Sequence, residues 1–112
     1  MDESYRPRAL RVMAEYGEQD PAWDSDIEHM GPVTLAELGV SEDLVRRLRG
    51  WNERFNAIAL TDFRFGSAAV EDAWADEGLR LAYELQNELS DIVISYVHDD
   101  DPRPLRDRRG PG

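Results

Sequence analysis

The sequence predicts an α+β fold: a two-stranded sheet, formed by segments near the two ends of the chain, packs on two amphipathic helices and one short helix. Three patterns lead to this prediction. Apolar residues alternate near the N-terminus, two long segments carry apolar stripes at helical spacing, and a β-branched run lies near the C-terminus. The 112 residues fit a single domain, and the apolar share of 41% is enough for a real core.

The first strand is indicated by apolar side chains that alternate from Leu10 to Tyr16, before Gly17. A period of two suits a strand with one buried face. Residues 18–33 follow, with two prolines and many acidic side chains, and Trp23 is their only evident large anchor. This composition predicts a surface loop.

Two helices are predicted in the next part of the chain. Thr34 and Glu37 have the spacing of a capping box, and Gly39 would end the short helix that it opens. Ser41 is placed to cap a second, longer helix. The apolar stripe of this helix is Leu44, Leu48, Trp51, Phe55 and Ile58.

A third helix is predicted from Ser67 to about Ser90, after an extended segment over residues 60–66. Its stripe includes Gly78, and a glycine inside a helix costs roughly 1 kcal/mol relative to alanine. The compensation we expect is close approach of another element, with Trp51 as the candidate, and a kink in the helix is the alternative. The other stripe residues are Val70, Trp74, Leu81, Leu85 and Leu89.

The last strand is predicted over residues 92–97, where four of six residues are β-branched. Two strands alone are marginal in water, so the helices must cover one face of the pair. The alternative is an all-α bundle in which residues 67–97 form one helix. The predicted core is Leu10, Val12, Leu38, Leu44, Leu48, Trp51, Phe55, Trp74, Leu81, Leu85, Leu89, Val93 and Tyr96.

The charges are sorted along the chain, and every cation is an arginine. Residues 1–102 carry 23 acidic side chains against 9 arginines, whereas residues 103–112 carry 4 arginines against one aspartate. We therefore predict a single acidic domain over residues 1–98 and a disordered Arg/Pro-rich tail over residues 99–112. An acidic body repels phosphate backbones and anionic lipid, so direct nucleic-acid and membrane partners are not expected.

The sequence lacks the motifs that are typical of several functional classes. There is no cysteine, no long apolar run and no hydrophobic leader, so we expect a cytoplasmic protein without disulfides. An EF-hand loop beginning at Asp24 would need Gly where His29 stands and Glu where Leu35 stands. No nucleotide-binding or hydrolase motif occurs. No catalytic residue, metal or cofactor is predicted.

The acidic loop is the predicted partner-binding surface. Its charged side chains surround Trp23, and an aromatic ringed by charge is typical of an interface anchor. The alternative for Trp23 is a lid on the core edge. The arginine-rich tail is the competing surface. The predicted partner-binding residues are Asp20, Trp23, Asp24, Asp26 and Glu28.

Small size, acidity and missing catalytic motifs favour a non-enzymatic protein-binding module. An immunity or antitoxin-like protein that binds a basic partner is one form of it, because complementary charge speeds association. The first alternative is a structural or assembly subunit that self-associates through open sheet edges. The second is a small enzyme without a recognisable motif.

The order of features also resembles a group of short acidic proteins of actinobacteria. The resemblance spans roughly residues 8–97 and implies one complete domain, and no activity is known for the group, so it implies no site residue. It rests on Ala14-Glu15-Tyr16-Gly17, Trp23, Leu38-Gly39-Val40-Ser41, Leu44, Leu48, Trp51, Glu77-Gly78, Leu81-Ala82 and Leu85.

Overall fold

The protein has the predicted α+β class, with two long helices beside one mixed sheet. The computed structural model describes residues 6–14, 20–58, 68–99, 101 and 103–108. The helices are α1 (Glu42–Ile58) and α2 (Ala68–Glu88), and a 3₁₀ helix spans Leu35–Leu38. The strands are β1 (Ala9–Val12), β2 (Ala22–Asp24), β3 (Gly31–Pro32) and β4 (Val93–Tyr96).

The sheet has four strands in the order β3-β2-β1-β4, so the prediction of a two-stranded sheet was wrong. The predicted pairing of the two end strands is confirmed: β1 and β4 pair in parallel. The error lies in residues 18–33, predicted as a loop, because β2 and β3 form an antiparallel hairpin there. Strands of three and two residues are too short to show a period of two.

Alternation along the strands decides which side chains face the helices. Leu10 pairs with Ile94 and Val12 with Tyr96, and all four are buried. Val93 therefore points to the opposite face and is only half-buried, so its predicted place in the core was wrong.

The two amphipathic helices supply most of the remaining core, and α2 packs against both α1 and β4. Because α2 ends at Glu88 and β4 follows, the alternative of one helix over residues 67–97 was wrong. Leu38 and Phe55 are half-buried, and Val70 is exposed. Ser67 and the predicted extended segment 60–66 lie outside the described residues. Buried hydrophobic side chains absent from the predicted core are Ala14, Ala22, Leu35, Val40, Val45, Ala82, Ile92, Ile94 and Leu105.

Gly78 of α2 lies in close contact with Trp51 of α1, as the sequence predicts. A Cβ at this position would overlap the Trp51 ring, with Cε2 only 2.7 Å away, and it would also overlap the Tyr96 hydroxyl. The glycine therefore makes room for the tryptophan. The Tyr96 hydroxyl donates to the carbonyl of Ala75, 2.6 Å away.

Part of the C-terminal segment, residues 103–108, is described in the structure, and the predicted disordered tail over residues 99–112 stays a prediction. A 3₁₀ helix spans Leu105–Asp107, and the side chain of Leu105 is buried in the main core. Arg106 donates to the carbonyls of Ser90 and Ile92, at 2.9 and 3.1 Å. One apolar side chain thus attaches this segment to β4 and α2. The predicted boundary of the acidic domain at residue 98 stays a prediction.

Candidate partner-binding surface

The β2–β3 hairpin presents most of the predicted partner-binding residues. Its strands are in register at Trp23 with Pro32 and at Asp24 with Gly31. The connection between them, residues 25–30, is called the hairpin loop below, and all of its residues are exposed. The hairpin thus holds this loop at one edge of the sheet.

Asp20 is a buried structural residue and faces the interior of the protein. Its carboxylate accepts from the backbone N–H of Leu35 at 2.7 Å and from Nε of Arg49 at 2.5 Å. Only 4% of its side chain is exposed. The carboxylate of Asp20 thereby caps the 3₁₀ helix Leu35–Leu38. Thr34 makes no side-chain hydrogen bond to this helix, so the predicted capping box was wrong.

Asp24 is also buried and fixes the start of the hairpin loop. Its Oδ1 accepts from the backbone N–H of Asp26 at 2.9 Å, which is the geometry of an Asx turn. The structure therefore gives positioning roles to Asp20, just before β2, and to Asp24, the last residue of β2.

Trp23 lies on the face of the sheet that points away from the helices. Its neighbours in β2, Ala22 and Asp24, are both buried, so Trp23 points the other way and is half-buried. Its partners across the sheet are Arg11 and Pro32. Trp23 is absent from the main core cluster and from the partly buried residues packed against it, and its role as an anchor stays a prediction.

Asp26 and Glu28 are the predicted site residues that the hairpin loop exposes to solvent. Between them lies Ile27, whose exposed fraction is 86%, and Met30 follows with 60%. These two apolar residues were not among the predicted site residues, because Trp23 was taken as the only large anchor of the loop. The sequence feature that could have indicated Ile27 is a large β-branched side chain between two acidic residues, in a segment without strand or helix periodicity.

The side chains of Asp26, Glu28 and His29 have oxygen or nitrogen atoms within 4.8 Å of one another. The Nδ1 of His29 lies 2.6 Å from Oδ2 of Asp26. All three residues are exposed, and such groups are common on an acidic surface without a metal ion. We assign no metal to this cluster.

The arginines of α1 are engaged in ion pairs. Arg47 donates to both carboxylate oxygens of Glu84, at 2.8 and 2.7 Å, and these hydrogen bonds lower the pKa of Glu84. Arg46 pairs with Asp43, and Arg49 pairs with Asp20. These cations are therefore paired within the protein and do not form an open basic patch.

The described arginines of the C-terminal segment also have hydrogen-bond acceptors, either in the body of the protein or among the acidic residues of the same segment. Arg108, with 6% of its side chain exposed, donates to Asp99 at 2.7 Å. Arg103 donates to Asp101 at 2.7 Å, and this hydrogen bond lowers the pKa of Asp101. Arg103 and Arg108 are thus paired within the segment, and Arg106 donates to Ser90 and Ile92, which weakens the case for a free arginine-rich arm.

One open groove of about 670 Å³ runs along the exposed side of α1. Its lining includes Val40 and Val45 together with Arg46 and Arg49, and both arginines already form ion pairs. Neither histidine lines it. The groove thus offers no described histidine for acid–base chemistry.

The ring of His98 lies among the aromatic rings of Trp51, Phe55, Trp74 and Tyr96. Its Nε2 accepts from the backbone N–H of Ala14 at 3.1 Å, and its ring meets the Trp74 ring edge-on with centroids 4.9 Å apart. Burial lowers the pKa of His98, against an opposing effect of Asp99. A neutral ring that accepts a backbone hydrogen bond ties β1 to the segment after β4.

Comparison with known families identifies the class of protein. A family model described as Serratia CdiI immunity protein-like matches residues 8–99. The match covers most of the chain, so the chain belongs to the Serratia CdiI immunity protein-like family. No curated protein matches the chain. The resemblance to actinobacterial proteins stays a prediction.

The family agrees with a protein-binding role of the immunity type. Neither helix, over the described residues, is long and apolar enough to cross a membrane.

Proposed function

We propose that this protein is an immunity protein that binds a protein toxin and blocks it, without catalysing a reaction itself. The observation that carries the proposal is the family match over residues 8–99. Small size and the formal net charge of −11 fit a protein that acts by binding. We place this activity in the cytoplasm, where the protein would protect its own cell.

The proposed partner is basic, and the hairpin loop is the proposed contact surface. Asp26 and Glu28 are exposed carboxylates on a hairpin fixed by Asp24. Complementary charge raises the association rate and disfavours wrong partners. Asp20 contributes indirectly, because its hydrogen bonds to Leu35 and Arg49 hold the chain just before β2.

Co-expression tests the proposal. The toxin is taken as the product of the gene next to the one that encodes this chain, and it is induced in a sensitive host with and without this protein. Rescue of growth, together with co-elution of the two purified proteins in size-exclusion chromatography, is the expected result. Continued growth arrest without complex formation contradicts the proposal.

The alternative of a self-associating structural subunit depends on open sheet edges. At one edge, β3 has two residues, and Pro32 has no backbone N–H to donate to another strand. At the other edge, the 3₁₀ helix Leu105–Asp107 packs against β4. Both features disfavour pairing with a second copy. Light scattering at several concentrations tests this alternative, which predicts a stable symmetric oligomer.

A further inference from the structure

Exposed apolar side chains are concentrated in the hairpin loop. Over the described residues, four large apolar side chains are strongly exposed, and Ile27 (86%) and Met30 (60%) exceed Val70 (53%) and Val97 (39%). Single exposed apolar residues are ordinary. Here the two most exposed ones lie three positions apart in a loop of six residues.

The backbone that carries Ile27 is fixed by hydrogen bonds. Asp24 Oδ1 accepts from the N–H of Asp26, and the carbonyl of Asp26 accepts from the N–H of His29 at 3.0 Å. The antiparallel pair of Asp24 with Gly31 closes the base of the loop. A loop already held in one conformation loses less entropy when it binds, so its apolar side chains contribute more to affinity.

The residues beside Ile27 specify the partner's chemistry. Asp26 and Glu28 flank it, and both are exposed. An apolar side chain between two carboxylates matches an apolar pocket whose rim is cationic. The pocket accepts the side chain, and the rim pairs with the acids without burying an unpaired charge.

We propose that Ile27 and Met30 are the apolar anchors of the toxin interface, and that they occupy an apolar pocket of the toxin rimmed by Arg or Lys side chains. This rests on the proposed function, since the occupant is the toxin of that proposal. Asp26 and Glu28 then guide association, and the apolar anchors hold the complex together. The arrangement has the apolar centre and polar rim that interfaces commonly show.

The variant Ile27→Asp separates the anchor from simple charge attraction. It adds a negative charge to an already acidic loop, so a purely electrostatic interface with a basic toxin would bind it equally well or more tightly. An apolar anchor predicts weaker binding, by about 30-fold or more, which corresponds to loss of a hot-spot residue. Met30→Ala is expected to weaken binding in the same direction.

The measurement is isothermal titration calorimetry of the purified toxin, encoded by the neighbouring gene, into each variant. Val70→Asp is the matched control, because it adds the same charge at an exposed apolar position on α2. Circular dichroism melting curves establish that each variant is folded, as expected for changes at exposed positions.

Three results overturn the inference. If the toxin binds wild type and Ile27→Asp equally, the anchor is wrong while the proposed function stands. If the toxin does not bind wild type, the proposed function fails and the inference fails with it. If the protein alone dimerises and Ile27→Asp makes it monomeric by light scattering, the anchors belong to a contact between copies of this chain.

Discussion

Trp51 and Trp74 each donate an indole N–H to the backbone carbonyl of the other, at 2.8 Å and 3.3 Å. Their rings are nearly parallel, with centroids 4.5 Å apart. This reciprocal pair joins α1 to α2 and satisfies two buried polar groups within one aromatic stack. Gly78 in α2 leaves the space that the Trp51 ring fills.

Gly78→Ala tests this packing. The added methyl would overlap Trp51 and Tyr96, so we expect a loss of about 1–3 kcal/mol in the free energy of unfolding, despite the better helix propensity of alanine. Gly50→Ala in α1 is the control, because nothing lies within 4 Å of its added Cβ. It should gain about 0.5–1 kcal/mol. Urea unfolding measures both, and a stabilised Gly78→Ala would contradict the close approach.

His98 predicts a pH dependence of stability. Burial lowers its pKa in the folded protein, whereas the unfolded chain takes up the proton near the ordinary value of 6.5. Between these two values the unfolded state binds more protons, so the free energy of unfolding falls as the pH drops below about 6.5. Protonation also removes the lone pair that accepts from Ala14. Urea unfolding at pH 7.5 and 5.5 should show a smaller decrease for His98→Gln than for wild type.

An equal decrease in His98→Gln and wild type would mean that other groups cause the pH dependence. The carboxyls of Glu84, Asp91 and Asp101 have lowered pKa values, so each contributes stability that is lost only at more acidic pH. The interval from pH 7.5 to 5.5 therefore isolates the histidine from these three groups.

Asp20→Ala should destabilise the protein strongly. It removes the acceptor for the Leu35 N–H and the partner of Arg49, so we expect a loss of about 2–3 kcal/mol in the free energy of unfolding. Asp26→Ala is the matched control at an exposed position and should change it by less than about 0.5 kcal/mol. If the two variants unfold at the same urea concentration, the buried role of Asp20 is refuted.

Leu105→Ala tests whether the C-terminal segment is part of the fold. Because this side chain is 1% exposed, its truncation should cost about 2–3 kcal/mol of stability. Val70→Ala, at an exposed position on α2, should have an effect within about 0.5 kcal/mol. A Leu105→Ala protein with wild-type stability would support the prediction of a disordered tail and contradict the burial of this side chain.

Long amphipathic segments were the most predictable part of the fold. The stripes of α1 and α2 each repeat over several turns, and the β-branched run after Ser90 was enough to end the helix. The interruption at Gly78 even indicated the contact with Trp51. Such features are local and repeated, so a single sequence contains them in full.

The hairpin and the folded C-terminal segment could not be predicted in this way. β2 is stabilised by pairing with β1, and β3 by pairing with β2, so both depend on partners outside their own short segments. Leu105 lies between prolines and arginines, and only tertiary packing shows that it is buried. For the same reason, the carboxylates of Asp20 and Asp24 looked like surface charges, although their partners are backbone groups and Arg49.

The most direct test of the central claim is the affinity for the neighbouring-gene toxin, measured at several salt concentrations. The double variant Asp26→Arg with Glu28→Arg is compared with wild type and with Glu71→Arg plus Asp72→Arg, which makes the same charge change at exposed positions on α2. If the protein binds the toxin through the hairpin loop, we expect the affinity to fall about tenfold or more for the first double variant only. The affinity of that variant should also depend less on salt, because screening acts on exposed charges. Equal losses in both variants, or tight binding by the hairpin variant, would contradict the account.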